Sequence, residues 1–159
     1  MGVSSAAAGP QAELPHDIVL HDDESLRPFE CDGLSAYRTL PMIAVLPATI
    51  EQVQTVMRIC YEYDTPVVAR GAGTGLSGGA LPLERGVLLS LAKFNRILDV
   101  DTDNLRATVQ PGVRNLAISQ EVDHLGLYYA PDPSSQQRTA VARAPATAGA
   151  AHTSGADCR

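Results

Sequence analysis

Apolar residues along the chain fall into two patterns: short unbroken runs, and one stripe at helical spacing. Met42-Ile-Ala-Val-Leu46 sits between Pro41 and Pro47 without alternation, which predicts a buried strand. Behind it, Pro47-Ala-Thr-Ile-Glu-Gln52 opens a helix, with Thr49 placed as N-cap and Gln52 at the third helical position for a reciprocal capping box. Ile50, Val53, Val56, Met57 and Cys60 follow at helical spacing and are expected to face a core. The helix is expected to end near Asp64, and Pro66-Val-Val-Ala69 to return as a strand, completing a β-α-β unit. Val87–Leu91, Ile97–Asp101 and Leu105–Val109 read as three further short strands, the last two preceded by turns at Phe94-Asn-Arg96 and Thr102-Asp-Asn104. A second helix is predicted from Val113 to about His124, closed by Gly126 in the C′ position, with His124 suited to the last carbonyls.

The flanks carry no such pattern. Residues 1 to about 14 read as a loose leader and 15–40 as an irregular arm dotted with acids and prolines. The start lacks the basic and apolar segments of a signal peptide, and Ala6 stands where a myristoylation motif requires Ser or Thr. No apolar run approaches the length of a bilayer span, so the expected location is cytoplasmic, or peripheral to an inner membrane through partner subunits. From residue 136 the chain turns to alanine, arginine and threonine, with Val141 the single large aliphatic, and disorder is expected. A shift of reading frame near codon 136 explains that composition economically. A basic interaction tail is the alternative, although three scattered arginines make no patch. The organisation expected is thus leader and arm over 1–40, an ordered domain over 41–135, and a divergent tail over 136–159.

With 159 residues and 45% hydrophobic content, one domain of ordinary size is affordable. A net charge of −6 argues against nucleic acid or an anionic membrane as partner, so any anion must be attracted locally. Cys31, Cys60 and Cys158 show neither CxxC nor Cys/His ligand spacing, so no metal site is read; an odd, sparse set fits a reducing compartment.

The candidate chemistry lies between the strands at Pro66 and Val87. Arg70-Gly-Ala-Gly-Thr-Gly-Leu-Ser-Gly-Gly79 holds Gly71, Gly73, Gly75, Gly78 and Gly79, and it reads as a phosphate cradle. Without Cβ atoms the chain can turn through positive φ and present consecutive N–H groups to an anion. Thr74 and Ser77 add hydroxyl donors, and Arg70 is the nearby fixed positive charge. Gly73-Thr-Gly-Leu-Ser-Gly78 also satisfies G-x-G-x-x-G, but Pro82 and Gly86 leave no room for the helix that a dinucleotide fold places there. Asp99, spaced like a ribose-binding acid, therefore counts as coincidence, and no Gly-Lys-Ser/Thr follows to make an NTPase loop. A flexible glycine turn without a ligand is the bland alternative.

Four blocks in this order carry a resemblance: Phe29-Glu-Cys-Asp-Gly-Leu-Ser-Ala-Tyr37, the glycine segment through Leu83, Val109-Gln-Pro-Gly-Val-Arg-Asn-Leu-Ala-Ile-Ser-Gln120 and Leu127-Tyr-Tyr-Ala-Pro-Asp-Pro-Ser-Ser135. Together, over about residues 15–135, they resemble the FAD-linked subunit of glycolate oxidase, among the vanillyl-alcohol-oxidase-like flavoproteins. The resemblance implies an α+β fold, the amino-terminal β-α-β-loop-β portion of a PCMH-type FAD-binding domain, truncated relative to the family. It implies noncovalent FAD with its pyrophosphate on Arg70, Gly71, Ala72, Gly73, Thr74, Gly75, Leu76, Ser77 and Gly78, since the loop has no His or Cys for a covalent tether. Cofactor contacts from Pro131, Asp132, Pro133 and Ser134 are implied too, against the plainer reading of that turn as a rigid exit from a strand. In its intact form such a protein would oxidise a small 2-hydroxy acid by hydride transfer to FAD and pass electrons to partner subunits. No catalytic residue is assigned, because the substrate-binding residues would lie in a carboxyl-terminal part that does not follow here. A truncated, noncatalytic chain with weak binding of FAD or other phosphorylated ligands is the competing expectation.

Overall fold

The computed structural model describes residues 13–130 and the backbone of 151–153. They divide into two compact units, with the boundary between Lys93 and Phe94.

The first unit is built on a four-stranded sheet of β1 (Val19–Leu20), β2 (Ile43–Val45), β3 (Val67–Arg70) and β4 (Val87–Ser90), in the order β1-β2-β4-β3. β2, β4 and β3 run parallel, and β1 pairs antiparallel with β2 through Val19 opposite Val45. The expected β-α-β unit is present, but its two strands are not neighbours. β4 lies between them, with Leu88 opposite both Ala44 and Val68. Burial on both faces explains the unbroken apolar runs. On one face Ile43, Val45, Val87 and Leu89 pack with Val56 and Cys60 of a helix; on the other, Ala44 and Leu88 pack with Leu26, Phe29 and Leu40.

That helix is α2 (Ile50–Glu62), preceded in the chain by the short α1 (Asp23–Leu26). Thr49 Oγ1 accepts from Gln52 N and Gln52 Oε1 accepts from Thr49 N, each at 3.3 Å, so the capping box forms as its spacing predicts. The buried stripe is displaced from expectation. Val56, Ile59 and Cys60 are buried, whereas Ile50 and Met57 are 62% and 47% exposed. The buried arc is centred on Val56, and at 3.6 residues per turn Ile50 and Met57 lie roughly 100–120° around the helix from it. The end of the segment read as a leader and part of the one read as an irregular arm belong to this core. Leu14, Ile18 and Val19 join the α2 side of the sheet, and Leu26 covers the other side.

In the second unit, β5 (Ile97–Asp101) and β6 (Arg106–Val109) form an antiparallel hairpin. Its turn is fixed by Asp101, whose Oδ1 accepts from Asn104 N at 3.0 Å and whose Oδ2 accepts from Asn104 Nδ2 at 2.7 Å. α3 (Asn115–Val122) continues as a 3-10 turn over Asp123–Leu125, and Gly126 closes it at φ 71°. Ala107, Val113, Ile118 and Tyr129 are the core of this unit. β7 (Leu127–Tyr129) pairs antiparallel with β8 (Ala151–Thr153), a strand inside the tail for which disorder was expected. The remainder of that tail and the leader through residue 12 lie outside the described residues.

Candidate functional site

β3 and β4 are adjacent and parallel, yet residues 71–86 connect them without a helix. Parallel neighbours need a long crossover, and here the glycine loop supplies it. Leu91 N donating to Arg70 O at 2.8 Å and Val87 N donating to Pro66 O at 2.9 Å hold the loop's ends in the ladder. Pro82 is fully buried, and Gly86 N closes a turn on Leu83 O at 2.9 Å, so the second half of the loop is anchored. The first half, after the carboxyl end of β3, is where open α/β sheets place ligands.

Gly73 and Gly78 stand at φ 69° and 73°, in the left-handed region that the sequence reading required of a cradle. A Cβ added at Gly75, Gly78 or Gly79 would meet nothing within 4 Å. Among the described residues, no backbone N–H from Gly75 to Ala80 donates to a backbone carbonyl. Open faces and N–H groups without a backbone acceptor therefore coincide on one stretch of chain. Leu76 is 68% exposed there, and Ala72 and Ser77 are also exposed.

Arg70 is directed elsewhere. Its Nη1 donates to Cys31 O at 2.6 Å and to Phe29 O at 3.3 Å, and its guanidinium carbon lies 5.7 Å from the centroid of the Phe29 ring. A Cβ at Gly73 would fall inside the guanidinium, so this glycine is needed for close approach as well as for its φ. Burial lowers the Arg70 pKa from its ordinary value, opposed by the neighbouring Cys31 and Asp32.

Beyond Cys31, the chain presses on the loop directly. A Cβ at Gly33 would stand 2.7 Å from Thr74 O and 2.8 Å from Gly75 O. Asp32 between them is 6% exposed; its Oδ1 accepts from Leu34 N at 2.8 Å, and its Oδ2 has no partner among the described residues. Phe29, Cys31, Asp32 and Gly33 are thus site residues that the pattern analysis did not assign. The available signal was the tripeptide Cys31-Asp-Gly33, a turn sequence inside a resemblance block whose role the sequence leaves unstated. Pro131, Asp132, Pro133 and Ser134 lie outside the described residues. No group of three or more His, Cys, Asp or Glu among the described residues is placed to hold a metal ion, and no helix there is long and apolar enough to cross a membrane.

The loop fits a nucleotide diphosphate on these observations: left-handed glycines, faces open to a ligand, and N–H donors without carbonyl partners. Comparison with known proteins agrees. The FAD binding domain family matches residues 41–157, which takes in much of the tail expected to diverge. The glycolate oxidase subunit GlcD of Escherichia coli K12 is 62% identical over 123 residues, 77% of this chain and 25% of that protein. The subunit of the same name in Bacillus subtilis is 38% identical over 113 residues, 71% of this chain and 24% of that protein. A D-lactate dehydrogenase of Anaerostipes hadrus is 36% identical over 128 residues, 80% of this chain and 27% of that protein. The chain thus spans about a quarter of the length of these relatives. Among solved structures, p-cresol methylhydroxylase with substrate bound superposes with a TM-score of 0.75 at 28% identity, over 86% of this chain and 28% of its own. An alkyldihydroxyacetonephosphate synthase, at 19% identity and a TM-score of 0.74 over 87% of this chain and 28% of its own, shares the fold. With its mixed α and β content and a family match over most of its length, this chain belongs to the FAD binding domain family, with FAD as its cofactor.

Proposed function

We infer that the chain is the cofactor-binding part of an FAD-dependent oxidoreductase that, in its intact form, oxidises a small 2-hydroxy acid. The observation that carries this reading is the stretch Gly75–Ala80, whose N–H groups have no backbone acceptor among the described residues while the glycines beside them face open space. Those amides, with those of Gly71, Ala72 and Gly73 and the hydroxyl of Ser77, would hold the diphosphate. Pro131, Asp132, Pro133 and Ser134 would contact the flavin. FAD supplies a two-electron acceptor, able to take a hydride from the carbon that bears the hydroxyl while the hydroxyl proton leaves to a base. The substrate class follows from two relatives whose names carry glycolate and D-lactate, both 2-hydroxy acids. A glycolate oxidase subunit implies further subunits, which would receive the electrons and would hold an otherwise cytoplasmic chain at a membrane surface.

The second reading is a noncatalytic chain with weak binding of FAD. The matched segment covers about a quarter of each relative, and on this reading the chain offers the cradle alone. Five or six loop donors at about 0.5–1.5 kcal/mol each give on the order of 5 kcal/mol. Association costs roughly 4–15 kcal/mol, which leaves affinity no better than about millimolar. Titrating FAD against the protein by flavin fluorescence, then assaying glycolate-dependent dye reduction, separates the two readings. Tight quenching with turnover supports an enzyme, and weak quenching without turnover a bare cradle. Turnover refutes the second reading, and absence of any quenching up to millimolar FAD refutes the first.

A further inference from the structure

Arg70 lies at the end of β3, where the glycine loop begins, and the plain expectation is that its charge meets the diphosphate. One of its terminal nitrogens is instead committed to the arm. Nη1 donates to the carbonyls of Phe29 and Cys31, at 3.3 and 2.6 Å, and the Phe29 ring lies 5.7 Å away. Two residues further along the arm, Gly33 is in such close contact with Thr74 and Gly75 that no side chain fits between them. We propose that Arg70 is a positioning residue, a strut that holds Cys31-Asp32-Gly33 against Thr74–Gly75 and so makes the cofactor cradle a two-segment construction. The proposal rests on the reading of this loop as the diphosphate site.

Three features make a strut the better account than a phosphate ligand. A guanidinium whose Nη1 donates to two carbonyls while its carbon lies over a ring is held in one orientation, toward the arm. Gly73 has no Cβ where one would displace the guanidinium, so the loop is shaped around it. The carboxylate of Asp32, 6% exposed with Oδ2 unpartnered, sits in the segment that Arg70 holds and gains from a nearby positive charge. With the strut in place, the diphosphate charge falls to the loop amides.

The test needs no FAD, because Cys31 reports the seam directly. It is a half-buried free thiol in the held segment, while Cys60 is buried on α2 and serves as internal control. Alkylation by iodoacetamide is followed peptide by peptide by mass spectrometry in wild type, Arg70→Met and Arg70→Lys. Cys31 is expected to react about tenfold faster or more in Arg70→Met, the loosening that loss of charge-assisted hydrogen bonds predicts, with Cys60 unchanged. Arg70→Lys keeps a positive charge at the position, so acceleration shared by both variants reports exposure. If Cys60 accelerates as well, Arg70→Met has unfolded and Arg70→Lys decides. Lysine keeps the charge but not the fork, and Cys31 alone should accelerate. Cys31 within about twofold of wild type in a folded variant overturns the proposal and returns Arg70 to the phosphate. A wild-type protein that fails to quench FAD would sink the cofactor reading yet leave the thiol result standing, so the two failures are distinguishable.

Discussion

Two glycine-to-alanine substitutions should have opposite signatures, because one glycine is pressed by protein and the other is not. At Gly33 the new Cβ would stand 2.7 Å from Thr74 O, 2.8 Å from Gly75 O and 2.9 Å from the Thr74 carbonyl carbon. All three are backbone atoms, so either the arm or the loop must retreat by several tenths of an ångström or more. Overpacking of this kind costs about 1–3 kcal/mol. At Gly75 a Cβ meets nothing within 4 Å, and the residue is not among the glycines at positive φ. Alanine there restricts the unfolded chain and should stabilise by about 0.4–1 kcal/mol. The same methyl would occupy space needed by a phosphate oxygen, and losing two loop hydrogen bonds at about 0.5–1.5 kcal/mol each weakens FAD roughly five- to 150-fold. Thermal unfolding followed by circular dichroism, with FAD titration by fluorescence, reads both quantities. Gly33→Ala should lower the melting temperature, and Gly75→Ala should hold or raise it while losing FAD. A Gly75→Ala protein that binds FAD as wild type does would refute the placement of the diphosphate. An unchanged melting temperature in Gly33→Ala would refute the contact between arm and loop.

Other consequences are simpler to read. Thr49→Ala removes the α2 cap and should cost about 1 kcal/mol in urea unfolding, within the range of roughly 0.5–2 for such caps. Leu88→Ala, on the strand that joins β2 to β3 and fully buried, should cost about 2–5 kcal/mol and serves as the benchmark for a true core loss. Burial pushes the Cys60 thiol above its ordinary pKa, so the folded state favours the neutral form. Its contribution is fully present below the unfolded thiol's pKa, about 8.5, and is lost as pH rises toward the folded value. Urea midpoints should therefore fall above roughly pH 8.5, and Cys60→Ala should flatten that decline.

Much of the first unit was legible in the sequence, for local reasons. Thr49 and Gln52 form a cap with each other, and Gly73 and Gly78 adopt the left-handed conformations expected of a cradle, because both signals depend on a few adjacent residues. What depends on tertiary partners was not legible. Val87-Leu-Leu-Ser90 reads as a buried strand, but nothing in an apolar run says that it inserts between β2 and β3. Ile50 and Met57 share helical spacing with Val53 and Cys60, and only the position of the sheet selects the arc of Val56, Ile59 and Cys60 for burial. Leu14, Ile18, Val19 and Leu26 stand among acids and prolines without periodicity, so their burial follows from the sheet faces they cover. The Arg70 contact with Phe29 and Cys31 joins residues about forty positions apart, a separation that no local pattern reveals.

Strand order also dictates a sequence of events for the nascent chain. β2, α2 and β3 emerge from the ribosome before the strand that will pair with both β2 and β3. Until β4 arrives, two parallel ladders lack their shared partner and their unpaired edges stand open to other chains. The glycine segment is the last stretch made before that partner appears, so its residues gain fixed ends only when β4 docks. Assembly of the sheet and completion of the cradle are therefore one cooperative step. Lengthening residues 71–86 should delay both together, though only slowly with length, since closure entropy grows as the logarithm of loop size.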